Sequence, residues 1–179
     1  MEIGGVKIEF LGHSGFLINI GEENIIVDPF NVSEKTPKAG LILITHSHYD
    51  HCSIRDIEKI SKEGTTVITP PDGQSKITKI DGVDMQIIES GDGISYKGIK
   101  IEAIPAYNVG KEYHPKREGW IGYLIKIDGV IIYHAGDTDK IPEMKKLTDM
   151  ENREMNLSHY FLILVNMLWM SKRQLKQLL

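Results

Sequence analysis

The sequence predicts a mixed α/β domain, and three features predict it. Short apolar or alternating runs separated by Gly, Pro and Asp turns fill most of the chain. One strand–loop–helix–strand unit runs from Leu41 to Thr69, and Asp128-Gly129 sits between two apolar runs as a two-residue hairpin signal. With 179 residues, 41% of them hydrophobic and 26% charged, the chain is long enough to bury one core.

The elements follow in order. Val6-Lys7-Ile8-Glu9-Phe10 alternates, Gly12 breaks the run, Phe16 to Ile20 resumes it, and Asn24 to Val27 closes a meander at Asp28-Pro29. Polar residues from Asn31 to Gly40 form a loop before the strand Leu41 to Ile44. Ser53-Ile54-Arg55-Asp56 has the form of a capping box and predicts a helix from about Ile54 to Glu63, ended by Gly64 and followed by the strand Thr65 to Thr69. Pro70-Pro71-Asp72-Gly73 turns the chain. A short helix near Ser75 to Ile80, a strand from Met85 to Glu89 and the Gly91-Asp92-Gly93 turn carry no evident chemistry. Lys100 to Ile104 is a strand ending at Pro105, a polar loop runs from Ala106 to Glu118, and Trp120 to Ile127 pairs with Val130 to His134 as the hairpin.

The chemistry concentrates in Thr45-His46-Ser47-His48-Tyr49-Asp50-His51, directly after an apolar strand. A lone histidine at a strand end is more often a hydrogen-bonded structural group. Three imidazoles and a carboxylate at this spacing reverse that balance, because such a cluster beside a buried strand needs a compensating cation. Extended backbone puts His46 and His48 on one face, able to share a metal, and places Asp50 and His51 further round the loop for a second. Imidazole and carboxylate suit Zn²⁺, Mn²⁺, Fe²⁺ or Ni²⁺. Cys52 is expected to be a small buried side chain. His13 and Asp28 lie at breaks in the meander, where a turn residue and a cap before Pro29 are the structural alternatives. His114 is the one imidazole of the 106–118 loop, and Lys116 and Arg117 beside it could attract an anion.

The His46-x-His48-x-Asp50-His51 string resembles the signature of the metallo-β-lactamase superfamily. Leu11-Gly12-His13-Ser14-Gly15-Phe16-Leu17-Ile18, Val27-Asp28-Pro29-Phe30, Ile104-Pro105-Ala106-Tyr107-Asn108 and Tyr133-His134-Ala135-Gly136-Asp137-Thr138 resemble its metal-dependent hydrolase branch, which includes ascorbate-6-phosphate lactonase-like proteins. The match runs in order from about Val6 to about Leu147. It implies a four-layer αββα sandwich holding one or two cations, Zn²⁺ first, with Mn²⁺ or Ni²⁺ as alternatives. His46, His48 and His114 would hold the first cation, although the familiar His directly after the strand is missing and Asn108 stands near its place. Asp50, His51 and a bridging Asp137 would hold the second. Asp50 and Asp137 are the catalytic candidates, Asp28 would orient a ligand histidine, and His13 would lie near the metals or the substrate. His134 is expected to be packed rather than ligating. The implied activity is hydrolysis of a lactone, ester or phosphodiester-type small molecule by metal-bound hydroxide.

Beyond Leu147 the chain departs from the family pattern. Residues 1–147 are therefore read as the metallo-β-lactamase-like domain and 148–179 as a divergent tail, so that the sandwich lacks its last strands and helices. A shifted reading frame or a truncated gene would produce such a tail. The apolar run from Tyr160 to Met170 is too short to span a bilayer; it is either a core strand or a helix continued to Leu179 with a sticky face, the latter offering a homodimer contact. His159 could stand in for the absent last ligand. A metal-binding but catalytically impaired protein is thus the alternative function. The net charge of −4 provides no field for nucleic acid. One cysteine fits a reducing cytoplasm, and Met1 to Gly5 shows no signal-peptide pattern.

Overall fold

A computed structural model of the chain describes residues 1–147 and 160–164. Seven strands follow one another across a first sheet in chain order: β1 (Glu2–Ile3), β2 (Val6–Gly12), β3 (Gly15–Ile20), β4 (Glu23–Val27), β5 (Leu41–Leu43), β6 (Thr65–Thr69) and β7 (Val83–Ile87). Tight turns join β1 to β4, so these strands run antiparallel. Longer crossovers through the 28–40 loop, helix α1 (Ile54–Ile60) and helix α2 (Gln74–Ile77) make β4 to β7 parallel.

The second sheet has the order β12-β11-β10-β9-β8, with β8 (Gly93–Tyr96), β9 (Ile99–Pro105), β10 (Ile121–Ile127), β11 (Val130–His134) and β12 (Tyr160–Leu164). Asp128 and Gly129 both take left-handed backbone, φ 42 and 78, which is the geometry a two-residue hairpin turn requires. Strand β12 pairs parallel with β11. Within the apolar run of the tail, residues 160–164 therefore follow the strand alternative. The expected helical continuation to Leu179, its expected homodimer contact and His159 lie outside the described residues.

Alternation along the central strands sorts the core into layers. Ile18, Val27 and Leu43 of the first sheet meet Ile101, Tyr123 and Ile132 of the second. The intervening residues Ile26, Ile42 and Val67 face outward onto Ile57, Ile60 and Ile77 of the helices. Leu124, Ile131 and Tyr133 face the other way, onto Ile141, Met144 and Leu147. Each sheet is thus covered on both faces, which explains why the central strands read as unbroken apolar runs. The architecture is a mixed α/β sandwich of two facing sheets, as the resemblance implied.

Local chemistry moves some boundaries. Helix α1 stops at Ile60, short of the expected Glu63, because Ser61 turns extended and its hydroxyl donates to the Ile57 carbonyl at 2.6 Å. Ser53 caps the helix as expected, accepting from the Asp56 N–H. The Asp56 carboxylate, however, turns away from the cap backbone and accepts from Asn31 N, Val32 N and Ser53 Oγ at 2.9, 3.1 and 2.6 Å. It stitches the polar loop to the helix that follows the metal loop. Strand β8 escaped the sequence because it starts inside the expected Gly91-Asp92-Gly93 turn. Gly12 ends β2 at a register irregularity rather than interrupting a strand.

Asp56→Ala removes two loop amide bonds to a charged acceptor and the hydroxyl contact of the cap, so a loss of about 3 kcal/mol is expected. Urea denaturation with an unchanged slope would read it directly. A loss under about 0.5 kcal/mol would mean that the 31–32 loop is held elsewhere.

Candidate metal centre

The centre begins at Asp28, fully buried at the end of β4 with left-handed backbone, φ 45. Its carboxylate accepts from Thr45 N at 2.8 Å, Thr45 Oγ1 at 2.7 Å and His51 Nδ1 at 2.8 Å. Strands β4 and β5 lie side by side, so one side chain at the end of the first can fix the loop that leaves the second. Since Thr45 Oγ1 spends its proton on Asp28, it accepts from His46 Nδ1 at 2.9 Å. Both imidazoles are thereby held with Nε2 as the free ligand atom. The Asp28 carboxylate thus holds two neighbouring imidazoles, His51 directly and His46 through Thr45.

Ligand atoms of His46, His48 and His114 lie within 4.8 Å of one another, and so do those of His46, His51 and Asp137. His114 enters from the 106–118 loop with φ 58, and its carbonyl accepts from Asn108 N at 2.7 Å. Asn108 is therefore a backbone brace of the histidine whose place it was a rival for. Asp137 Oδ2 stands 3.4 Å from His51 Nε2 and 3.8 Å from His114 Nε2, between the two halves of the cluster.

His13, Asp50 and His51 form a third group of the same dimensions. His13 Nε2 is 2.9 Å from Asp50 Oδ2, on a β2–β3 turn where its φ is 53. The turn thus brings His13 into the donor cluster itself. His134 is packed: its Nε2 donates to the Ser14 carbonyl at 2.9 Å and its Nδ1 accepts from Gly136 N at 3.2 Å.

The electrostatics suit a cation. Burial and the neighbouring His51 push the His46 pKa well below its ordinary value, and burial lowers that of His114, so both offer neutral lone pairs. Burial opposes a charge on His51, yet the carboxylates of Asp28 and Asp137 outweigh it and push its pKa up to about 10. Against the same penalty, the imidazoles hold Asp28 and Asp137 ionised. His46 Nε2 and Asp137 Oδ1 are buried without a hydrogen-bond partner. Inward-facing lone pairs left unsatisfied in this way fit a divalent ion with nitrogen and oxygen ligands. Cys52 adds no thiolate, because burial raises its pKa to about 12.

Other side chains of the loops turn out to be braces. Asp139, expected to face substrate or cap a helix, accepts from Val109 N at 3.1 Å and pairs with Lys111 at 2.7 Å. Lys116 pairs with Glu143 at 2.7 Å, and Glu143 also accepts from Tyr107 OH at 2.9 Å. Sequence reasoning passed over Asp72 and Trp120: the indole lies against His46, His48 and His114, and its Nε1 donates to Asp72 at 2.7 Å. The Pro-Pro-Asp-Gly turn pattern gave the only trace of Asp72, and it suggested no chemistry.

A sandwich of two sheets with a cluster of His and Asp donors at the strand ends suits a metal-binding protein, and comparison with known proteins narrows the class. The model of the beta-lactamase superfamily domain matches residues 7–156, nine positions past the point where motifs alone stop. The chain therefore belongs to the metallo-β-lactamase superfamily. A metal-dependent hydrolase of Thermococcus onnurineus is 32% identical over 162 residues, covering 81% of this chain and 67% of the relative. One of Thermoplasma acidophilum is 34% identical over 160 residues, covering 85% and 69%. A crystal structure from Parabacteroides distasonis, described as a metal-dependent hydrolase, superposes with a TM-score of 0.72 at 34% identity, covering 79% of this chain and 64% of that one. The chain thus spans about two thirds of the length of these curated relatives and slightly less of the solved one. The family implies a metal cofactor. Among the described residues no helix is long and apolar enough to cross a membrane.

Without a cation His51 keeps its proton up to about pH 10. A metal at Nε2 has to displace that proton, so apparent affinity is expected to rise with pH through the neutral range, by up to about tenfold per unit. Calorimetry of Zn²⁺ uptake at pH 7.5 in two buffers of different ionisation enthalpy should show about one proton released. No net release would remove His51 from the donor set.

Proposed function

We propose that this chain is a hydrolase of small esters or lactones, with a phosphodiester as the further possibility within the same chemistry, working through two adjacent cations. The observation that carries the reading is the convergence of imidazole and carboxylate lone pairs, the buried His46 Nε2 and Asp137 Oδ1 among them, in one cluster. His46, His48 and His114 would hold the first cation. Asp50 and His51, joined by His13, would hold the second, and Asp137 faces both. Zn²⁺ suits the donors, and Mn²⁺ or Ni²⁺ remain compatible with them. When bound, such cations lower the pKa of a water ligand toward neutrality and polarise a carbonyl or phosphoryl oxygen.

The chain's own residues supply the geometry. Asp28 and Thr45 keep His51 and His46 in the required tautomers. The Asp50 and Asp137 carboxylates would accept a hydrogen bond from an attacking water and aim it, and His13, 2.9 Å from Asp50, would fix that carboxylate from within the same donor group. The nearby cations Lys111 and Lys116 are spent on Asp139 and Glu143. Arg117, 80% exposed, lies within 3.5 Å of Glu118. That leaves little attraction for a polyanion, which favours an uncharged ester or lactone. Tyr49 and Tyr113, 71% and 76% exposed, flank His48 and His114 in sequence and offer apolar rings to the substrate's non-reacting part.

Plasma mass spectrometry of protein purified without chelator or a His tag should give close to two metal equivalents. Asp137→Ala is expected to lower that content and to reduce turnover on an ester and lactone panel by about 100-fold or more. Unchanged stoichiometry would take Asp137 out of the centre. Two equivalents without turnover on any ester, lactone or phosphodiester would favour the catalytically impaired alternative.

A further inference from the structure

Residue Ser47, between the first two histidines, is held at both of its backbone groups. Its N–H donates to Asp72 Oδ2 at 3.0 Å, and its carbonyl accepts from Lys76 Nζ at 2.6 Å. Both partners belong to the Pro71–Gly73 turn and helix α2, which follow β6. The same Asp72 oxygen accepts from Trp120 Nε1 at 2.7 Å. Trp120 in turn places its ring 4.8 Å from that of His46, 4.6 Å from His48 and 4.7 Å from His114, centroid to centroid. One carboxylate thus fixes the backbone spacing of two imidazoles and the indole against which all three rest.

On the reading that these histidines share a cation, we infer that Asp72, Lys76 and Trp120 form a clamp that presets the geometry of the first cation site. They are positioning residues, since none of them belongs to the donor groups found among the described residues. The physical need is plain in the local structure. His46 and His48 are two residues apart in an irregular loop after β5, and His48 is exposed. An imidazole in such a place samples several rotamers, and ordering it on binding weakens affinity. Fixing Ser47 from both sides sets where the two Cβ atoms lie. The rigid indole then closes off the space into which the rings would turn. Trp120 immediately precedes β10, so the clamp also registers His114, from the second sheet's loop, against the two histidines of the first sheet.

The test is Co²⁺ titration of the full chain followed by visible absorption, which reports both affinity and ligand geometry. Asp72→Ala should bind the first equivalent about 10–100-fold more weakly than wild type and shift the ligand-field bands. Asp72→Asn, whose amide oxygen can accept both bonds, should largely rescue it. Trp120→Phe keeps a ring but lacks the donor, and should lower affinity by less while giving the same spectral shift. Because they share one hydrogen bond, Asp72→Ala and Trp120→Phe together should cost less than the product of the two. Should Asp72→Ala fail to fold by circular dichroism, Trp120→Phe and Lys76→Met carry the same comparison. Wild-type affinity and spectrum in folded clamp variants would overturn the inference. Binding by wild type that His46→Ala leaves unchanged would instead overturn the assignment of the cation to these histidines.

Discussion

The buried carboxylate of Asp28 is the constraint from which the centre follows. An ionised group in the interior costs several kcal/mol unless it is well paired, and Asp28 has three donors, all from the loop that leaves β5. The loop cannot relax away without stranding that charge. Its conformation is therefore set by the packing of β4 against β5, and the histidines inherit their tautomers from it. Asp28 takes a left-handed backbone to make this reach, a conformation that costs about 1 kcal/mol for most residues and less for aspartate.

A second constraint joins the sheets. Tyr123 OH, from the second sheet, donates to the Ile44 carbonyl at 2.7 Å, one residue before the donor loop begins. Ile121 N donates to the Thr45 carbonyl at 3.2 Å. Gly136 then has to pass close by: a Cβ there would stand 3.0 Å from the Ile121 carbonyl and 3.2 Å from Thr45 Cβ, on a backbone with φ 61. The glycine before Asp137 is thus a requirement of close approach, and it places that carboxylate opposite the imidazoles. Apolar packing between the sheets and the position of Asp137 are consequences of the same registration.

Much of this was legible in the sequence, for identifiable reasons. Strands with regular patterns, the Asp128-Gly129 hairpin and the Ser53 cap depend on neighbours in the chain, and each stands where local chemistry puts it. The cluster from His46 to His51 was visible because three imidazoles and a carboxylate in six positions have few other uses. What could not be read was the partnering of distant residues. His13 pairs with Asp50 across 37 positions, and Trp120 with Asp72 across 48. Asp139 and Asp56 were read as substrate-facing or capping groups, and both serve loop amides that only the folded chain brings near. Carboxylates are ambiguous in sequence because their roles depend on which N–H groups arrive.

The donors come from four separate stretches: the β2–β3 turn, the loop after β5, the 106–118 loop and the end of β11. His13 and His114 hold left-handed backbone, unfavourable for a residue with a Cβ. The 106–118 loop keeps its shape through the 137–143 segment, by Tyr107 N to Thr138 Oγ1 at 3.0 Å, Asp139 N to the Tyr107 carbonyl at 3.0 Å and the Lys116–Glu143 pair. Such braces hold the donors together, while the buried, unpaired lone pairs of His46 and Asp137 oppose their convergence. A cation bound there would reverse that opposition and in turn stabilise the loops. The two sheets set the strands that carry the centre; the loops, braced by their own hydrogen bonds, bring its donors together.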